Sequence, residues 1–199
     1  MFEDEASMNG NGSAPSAPSQ AGAFADGSPA TVPSAAAEAT SLAGRTPVLA
    51  RQVLELTTAH SFHVVDVTDQ CVELIRASQM QEGTLTVFSP HTTCAVKINE
   101  REDCFLEDLR HFMEGLIPRD AYYRHDDFSV RDPATVATTV EEEPINGHAH
   151  IKQMLLGSSS EHVPIVAGAL ALGRWQRIMF IELDQSRPRR IQLTAQGWG

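Results

Sequence analysis

The chain has 199 residues, of which 42% are hydrophobic and 21% charged, a composition typical of globular proteins. Its formal net charge of −11 at pH 7 argues against sequence-independent binding to nucleic acid, which needs a basic surface that displaces counterions. No apolar run reaches the roughly 18 residues that a membrane-spanning helix requires, so no association with a membrane is predicted.

The N-terminal 45 residues differ in composition from the rest of the chain. More than half of them are Ala, Gly, Ser or Pro, and large aliphatic residues are scarce. Such a segment cannot bury enough apolar surface to offset the entropy lost on ordering. We predict a disordered tail at 1–45 and a folded domain at 46–199. The acidic start MFEDEAS lacks the basic and apolar regions of a secretory signal, so a cytoplasmic location is expected.

Short periodic segments begin at residue 46. Apolar residues at helical spacing predict a helix from an N-cap at Thr68 to about Ser78, a second over 102–115 and a third over 148–156. Residues 117–146 form a long irregular connection, and such loops are often functional. Runs rich in Val, Leu, Ile and Thr predict strands at 50–58, 61–68, 84–89, 94–99, 162–166, 169–173, 177–184 and 189–195. The predicted fold is α+β, a compact mixed β-sheet or sandwich with two or three helices.

Histidines lie at three separate element boundaries. His91 opens the stretch HTTCAVKINE, His125 lies in the long connection, and His148 and His150 open the third helix. A mononuclear metal site uses three such ligands and one open position, and neutral imidazole suits zinc. The alternative, that these are ordinary surface or core histidines, stays open for His91, His125 and His150 together.

Only one of His148 and His150 faces a given site if their segment is helical, because residues two apart point about 200° away from each other. Ile151, Met154 and Leu155 would place the apolar face of the helix beside His150. We therefore predict His150 as the metal ligand and His148 at the rim of the site. An extended segment would allow both to reach it.

Three further features are candidates for function. Glu100 ends the predicted strand CAVKIN and would serve as general acid or base, or simply as a solvated carboxylate. In LGRWQ, Gly173 allows close approach while Trp175 and Gln176 offer donors to a ligand; otherwise the Trp packs under a hairpin. Arg187 belongs to an arginine-rich turn that binds an anion or is an exposed hairpin end. Neither a glycine-rich phosphate loop nor G-x-S-x-G occurs.

Five stretches, in unbroken order over roughly residues 46 to 197, resemble the YjbQ-like family, whose members are described as secondary thiamine-phosphate synthase enzymes. They are GTLTVFSPHTTCAVKINE, YYRHDD, NGHAHIKQMLLGSS, VPIVAGALALGRWQRIMFIELD and SRPRR. The resemblance implies a small α+β domain that assembles as a homotrimer or a hexamer around a metal-associated site. Arg174 departs from the family pattern, which usually has Thr at that position.

Carried over position by position, the resemblance implies three metal ligands: His91, His125 and His150. The positions that match the rest of its motifs are Thr92, Thr93, Asn99, Glu100, Asn146, Gly173, Trp175 and Gln176. We add His148 and Arg187 as further candidate substrate-binding residues and take Glu100 as the catalytic candidate.

The reaction implied by the resemblance joins a hydroxymethylpyrimidine diphosphate to a thiazole phosphate with loss of diphosphate. Diphosphate release normally uses magnesium held by carboxylates, whereas three imidazoles suit zinc. We therefore expect a small phosphorylated metabolite and a divalent metal, with zinc favoured and magnesium as the alternative. The alternatives are a metal-assisted hydrolase or lyase with Glu100 as acid or base, and a non-enzymatic metal- or ligand-binding oligomeric module.

Overall fold

The computed structural model describes residues 41–137, 139–157 and 159–199. Most of the tail predicted at 1–45 thus lies outside the described residues. Residues Ser41–Gly199 form one unit, in which Thr46 and Gly199 exchange backbone hydrogen bonds of 3.2 and 3.0 Å. None of the described helices is long and apolar enough to cross a membrane.

Strand pairs precede each of the first two helices, and four consecutive strands follow the third. Three α-helices occur among the described residues: α1 (Thr68–Ser78), α2 (Asp103–Leu116) and α3 (Gly147–Leu156). The strands are β1 (Pro47–Thr57), β2 (Val64–Asp66), β3 (Glu82–Phe88), β4 (Cys94–Glu100), β5 (Ser160–Val166), β6 (Ala169–Leu170), β7 (Gln176–Glu182) and β8 (Pro188–Trp198). A short 3-10 turn, Pro133–Thr135, lies in the long connection between α2 and α3.

The strands form two antiparallel sheets. A five-stranded sheet has the order β1-β8-β3-β5-β6, and a three-stranded sheet has the order β2-β7-β4. Successive side chains of a strand point to opposite sides, so the two faces of the smaller sheet pack in two different cores. Val96 and Phe180 pack in the core shared with the larger sheet, whereas Ala95 and Ile181 pack with residues of α2 and α3. The α+β prediction is confirmed: the smaller sheet is the middle of three layers.

Several predicted boundaries are wrong in ways that tertiary contacts explain. Thr68 is the first residue of α1 rather than its N-cap, because its hydroxyl accepts a hydrogen bond from the Ile178 N–H at 2.8 Å. The strand predicted at 61–68 is reduced to Val64–Asp66, and that at 169–173 to Ala169–Leu170. Both short strands lie at sheet edges, where pairing on one side alone supports them.

Helix α3 buries the opposite face from the one predicted. Its buried residues include His148, Lys152 and Gln153. Its large apolar residues face outward: Ile151 is 42% exposed, Met154 77% and Leu155 60%. The prediction that these three lie on the buried face is therefore wrong for the single chain, and so is the placement of His148 at a rim.

Candidate functional site

The predicted site residues lie at two ends of the three-stranded sheet. Cys94 pairs with Glu182 at one end of β4, and Glu100 pairs with Gln176 at the other. Six residue steps of extended chain cover about 20 Å, so no single small-molecule site in one chain includes both ends. We call them the histidine end, built around His91, Glu182 and Asp184, and the tryptophan end, comprising Asn99, Glu100, Gly173, Trp175 and Gln176.

A buried ion pair organises the histidine end. Glu182, fully buried at the end of β7, accepts hydrogen bonds from Arg189 Nε at 2.6 Å and Nη2 at 2.7 Å. Burial alone would raise the pKa of Glu182, but the bonds from Arg189 and from the Asp184 N–H hold that pKa below its ordinary value. The Arg189 guanidinium also donates to the Thr93 hydroxyl at 3.2 Å. The hydroxyl of Thr93, predicted to bind substrate, is thus already hydrogen-bonded within the protein.

His91 is anchored to the strand that carries these arginines. Its Nε2 accepts the backbone N–H of Arg190 at 3.0 Å. Partial burial and the charge of Arg189 lower the pKa of His91, which favours the neutral ring. The neighbouring Thr92 is exposed. The loop that follows β3 therefore presents a neutral imidazole beside a buried cation.

His125 and His150 are brought together from separate elements. Their ring centroids are 4.6 Å apart in an edge-on arrangement. Asp126 explains the convergence: its Oδ1 accepts the N–H groups of Asn146 and Gly147 at 3.0 and 2.9 Å, so the loop is fastened to the start of α3. Burial, followed by the proximity of His125, lowers the pKa of His150.

Asp184 connects the start of α3 with the arginine-rich turn. The Asn146 Nδ2 donates to Asp184 Oδ2 at 3.1 Å, and Arg187 Nη2 lies 2.9 Å from the same oxygen. Asn146 and Arg187, both predicted to bind substrate, therefore lie on either side of one carboxylate. That carboxylate, Asp184, was not among the predicted site residues. The charge of Asp184 also raises the pKa of His150, against the larger effect of burial.

His148 is isolated within the protein. It is fully buried, and neither ring nitrogen has a hydrogen-bond partner. Burial, followed by the nearby charge of Lys152, lowers the pKa of the ring. His148 thus faces the interior between α3 and the preceding loop, with the Tyr123 ring at 6.4 Å, rather than an open substrate cleft.

The geometry of one chain brings two of the three predicted ligands together, and the metal itself stays a prediction. Across residues 41–137, 139–157 and 159–199, no group of three or more His, Cys, Asp or Glu side chains is arranged to hold a metal ion. His125 and His150 form a pair of neighbouring imidazoles, which are suitable donors for zinc. One ring nitrogen of His91 is occupied by the Arg190 N–H.

Two open clefts flank Arg189 at the histidine end. One, of about 680 Å³, is lined by His91, Arg189 and Arg190 among others. The other, of about 660 Å³, is lined by Glu143, Arg187 and Arg189. Both are large enough for a small metabolite. Their arginine side chains favour an anionic ligand such as a phosphate.

The tryptophan end is open and locally hydrogen-bonded. Trp175 is 62% exposed, with the Arg174 guanidinium 4.7 Å from its ring, so it does not pack under a hairpin. The Gln176 side-chain oxygen accepts the Gly173 N–H at 2.7 Å. Glu100 is exposed. This end offers a stacking surface and a carboxylate, but within one chain neither reaches the histidines.

Sequence reasoning underestimated the acidic residues that follow β7. Glu182 and Asp184 directly precede the arginine-rich turn, which we predicted to be an anion site or an exposed hairpin end, yet both acids are almost fully buried. A signal was present: acids that continue an apolar strand and precede several arginines indicate a paired, buried charge.

The comparisons with known proteins agree with this fold. A family model described as "UPF0047 protein YjbQ-like" matches residues 52–198. A UPF0047 protein of Archaeoglobus fulgidus is 42% identical over 142 residues, which cover 71% of this chain and 98% of that protein. A YbjQ-like protein of unknown function from Sulfolobus solfataricus is 26% identical, with a TM-score of 0.65, covering 76% of this chain and 99% of the other. A hypothetical protein from Aeropyrum pernix is 32% identical, with a TM-score of 0.62, covering 74% and 98%. The chain therefore belongs to the YjbQ-like UPF0047 family.

Proposed function

We propose that this protein is a metal-associated enzyme that acts on a small phosphorylated metabolite at the histidine end. The observation that carries the proposal is the edge-on pair of His125 and His150, 4.6 Å apart. Asp184, whose charge acts on His150, also pairs with Arg187, which lines one of the arginine-bearing clefts. Zinc is the preferred metal, because the proposed donors are imidazoles rather than the carboxylates that magnesium prefers.

Each residue at this end has a separate role. His125 and His150 would hold the metal, and His91 would become the third ligand by giving up the bond between its Nε2 and the Arg190 N–H. When bound, the metal would act as a Lewis acid on a phosphate oxygen. Arg190 is the more available arginine, since its one ion pair among the described residues is with the exposed Glu55 at 3.3 Å. Arg187 would bind phosphate while Asp184 holds its position.

For the reaction, thiamine phosphate formation from the pyrimidine diphosphate and the thiazole phosphate is the activity to assay first. Glu100 of the same chain cannot serve as its acid or base, because it lies about 20 Å away along β4. A catalytic Glu100 would have to come from another copy. A metal-assisted hydrolase or lyase would use the same ligands and the same arginines.

We also propose a homotrimer, or a hexamer of two trimers, in which a second copy covers the exposed face of α3. That face carries Ile151, Met154 and Leu155, while the only charged residue of the helix, Lys152, is buried. Chains with a net charge of −11 repel one another, so an uncharged apolar face is where copies approach at least electrostatic cost.

Elemental analysis with a turnover assay tests the metal and the reaction. We expect stoichiometric zinc in the wild type and its loss in His150→Ala. The matched control is His162→Ala, because the His162 ring bonds to Thr86 on the larger sheet. Full metal retention by His150→Ala would refute the site. Metal without thiamine phosphate formation would refute the synthase reaction and leave the hydrolase, lyase and binding-module alternatives.

Light scattering after gel filtration tests the assembly. Met154→Glu places a charge on the α3 face and should reduce the mass to that of one chain. Val72→Glu, at a 48% exposed position on α1, should leave the mass unchanged. A trimeric Met154→Glu, or a wild type that is already monomeric, would contradict the proposed interface.

A further inference from the structure

An apolar cleft lies between α2 and the smaller sheet, on the helix-facing side of the middle layer. Its volume is about 150 Å³. Met179 and Ile181 of β7 form its floor, and Leu106 and Leu109 of α2 form one wall. Leu156, the last residue of α3, closes another side. Helix α2 covers this part of the sheet incompletely, since Met113 is its only buried residue.

The size of the cleft selects the kind of occupant. An apolar protein cavity of about 150 Å³ stays dry and holds a molecule the size of benzene. A docked helix, about 10–12 Å across with its side chains, is far too wide to enter. The cleft therefore fits a single ring rather than a segment of another protein.

The chemistry of the walls favours an aromatic ring. Met179 places a thioether at the floor, and sulfur makes favourable contacts with aromatic rings. Phe105 contributes its own ring, which can pack edge-on against a guest. Neither contact is available to a saturated ring of the same size.

The rim of the cleft determines the charge of the occupant. Lys97 is already paired with Glu161 at 2.7 Å, so the cleft has no free cation with which to hold an anion. Asn99 uses its Oδ1 to accept the Glu100 N–H at 2.8 Å. The amide nitrogen of Asn99 remains as a donor for one polar atom of a guest.

We propose that this cleft is a binding site for an uncharged aromatic ring of benzene size, with Asn99 donating to a hydrogen-bond acceptor on the ring. The site is separate from the histidine end, and binding there requires no metal.

Titration of the full chain with fluorobenzene, followed by fluorine NMR, tests this proposal. We expect saturable binding, tighter for fluorobenzene than for fluorocyclohexane and absent for fluorobenzoate. In Leu109→Trp the added ring fills the cleft and should weaken binding about tenfold or more. Leu116→Trp adds the same ring on the same helix at a 57% exposed position and should bind like the wild type.

The hydrogen bond from Asn99 is tested separately. Asn99→Ala should weaken 4-fluoroanisole, which carries an acceptor oxygen, and leave fluorobenzene unchanged. An equal effect on both probes would refute that hydrogen bond.

The absence of saturable binding by the wild type would overturn the aromatic site. Unchanged binding by Leu109→Trp would do so as well, provided that circular dichroism shows a native fold. If Leu109→Trp fails to fold, Leu106→Phe takes its place with the same expected loss. Binding that appears only in the Met154→Glu variant would also refute the proposal, because it would mean that a neighbouring copy fills the cleft.

Discussion

The two ends of the three-stranded sheet differ in whether their glutamate is buried and paired or exposed to solvent. At the histidine end, Glu182 is fully buried and its carboxylate is held by Arg189 at 2.6 and 2.7 Å. At the tryptophan end, Glu100 occupies the last position of the neighbouring strand and is exposed to solvent. The same residue type on two paired strands is therefore structural at one end and free at the other.

This difference separates two parts of one sequence motif. HTTCAVKINE places a histidine and a glutamate within ten residues, yet the strand between them carries its ends about 20 Å apart. Two residues at opposite ends of an extended strand are close in sequence but far apart in space. The residue that does bond to His91 is Arg190 of β8, 99 positions later in the chain.

The two ends should differ most in the unfolding free energy that is lost when the glutamate of each is replaced by glutamine. Glu182→Gln leaves Arg189 as an uncompensated buried cation and should cost about 3–5 kcal/mol of unfolding free energy. Glu100→Gln removes an exposed carboxylate and should leave the unfolding free energy essentially unchanged. Urea denaturation monitored by circular dichroism measures both. Equal losses in the two variants would abolish the distinction between the ends.

The ion pair of Glu182 and Arg189 should also make the stability depend on pH. Because the pKa of Glu182 is lowered in the folded state, its ionisation contributes stability above its ordinary value of 4.5, and that contribution is lost as pH falls through the lower folded value. The stability difference between wild type and Glu182→Gln should therefore narrow as the pH falls below 4.5. A difference that stays constant in acid would assign the loss to packing instead.

A smaller contrast concerns the helices that begin at the two ends. Asp126 receives the first N–H groups of α3 from 20 residues away, so Asp126→Ala should cost about 1–2 kcal/mol and separate His125 from His150. Glu102 caps α2 locally in full solvent, so Glu102→Ala should cost less and leave metal content intact. Thermal denaturation with zinc analysis distinguishes the two. A metal-replete Asp126→Ala would show that the cap does not position the site.

The smallest effect is a difference in thiol reactivity. Burial raises the pKa of Cys94 to about 12, so its thiolate is scarce at any ordinary pH. Cys104 is exposed at the start of α2, and its pKa is raised by the charge of Glu102. Iodoacetamide at about pH 8 should modify Cys104 first, and Glu102→Gln should increase that rate. Labelling of Cys94 before Cys104, read by mass spectrometry, would contradict the burial of the histidine end.

Helix positions were predictable because they depend on local periodicity. The stripe at Phe105, Leu109 and Met113 predicted a helix at 102–115, and α2 spans Asp103–Leu116. The inward face of α3 was not predictable by the same rule, because Ile151, Met154 and Leu155 obey the periodicity and yet face outward. Asp126 binds the N–H groups of Asn146 and Gly147 at the start of this helix, and such a contact across 20 residues is not visible in the local pattern.

The sequence by itself determined the α+β class and the approximate extents of most elements, because both depend on composition, periodicity or recognisable motifs. Only the tertiary structure decided that His125 meets His150, that Glu182 and Asp184 are buried partners of arginines, and that Glu100 belongs to a different end of the sheet. Those facts depend on which strands pair and how far an extended strand reaches. Pairing and burial are set by contacts between residues distant in the chain, and no local pattern records them.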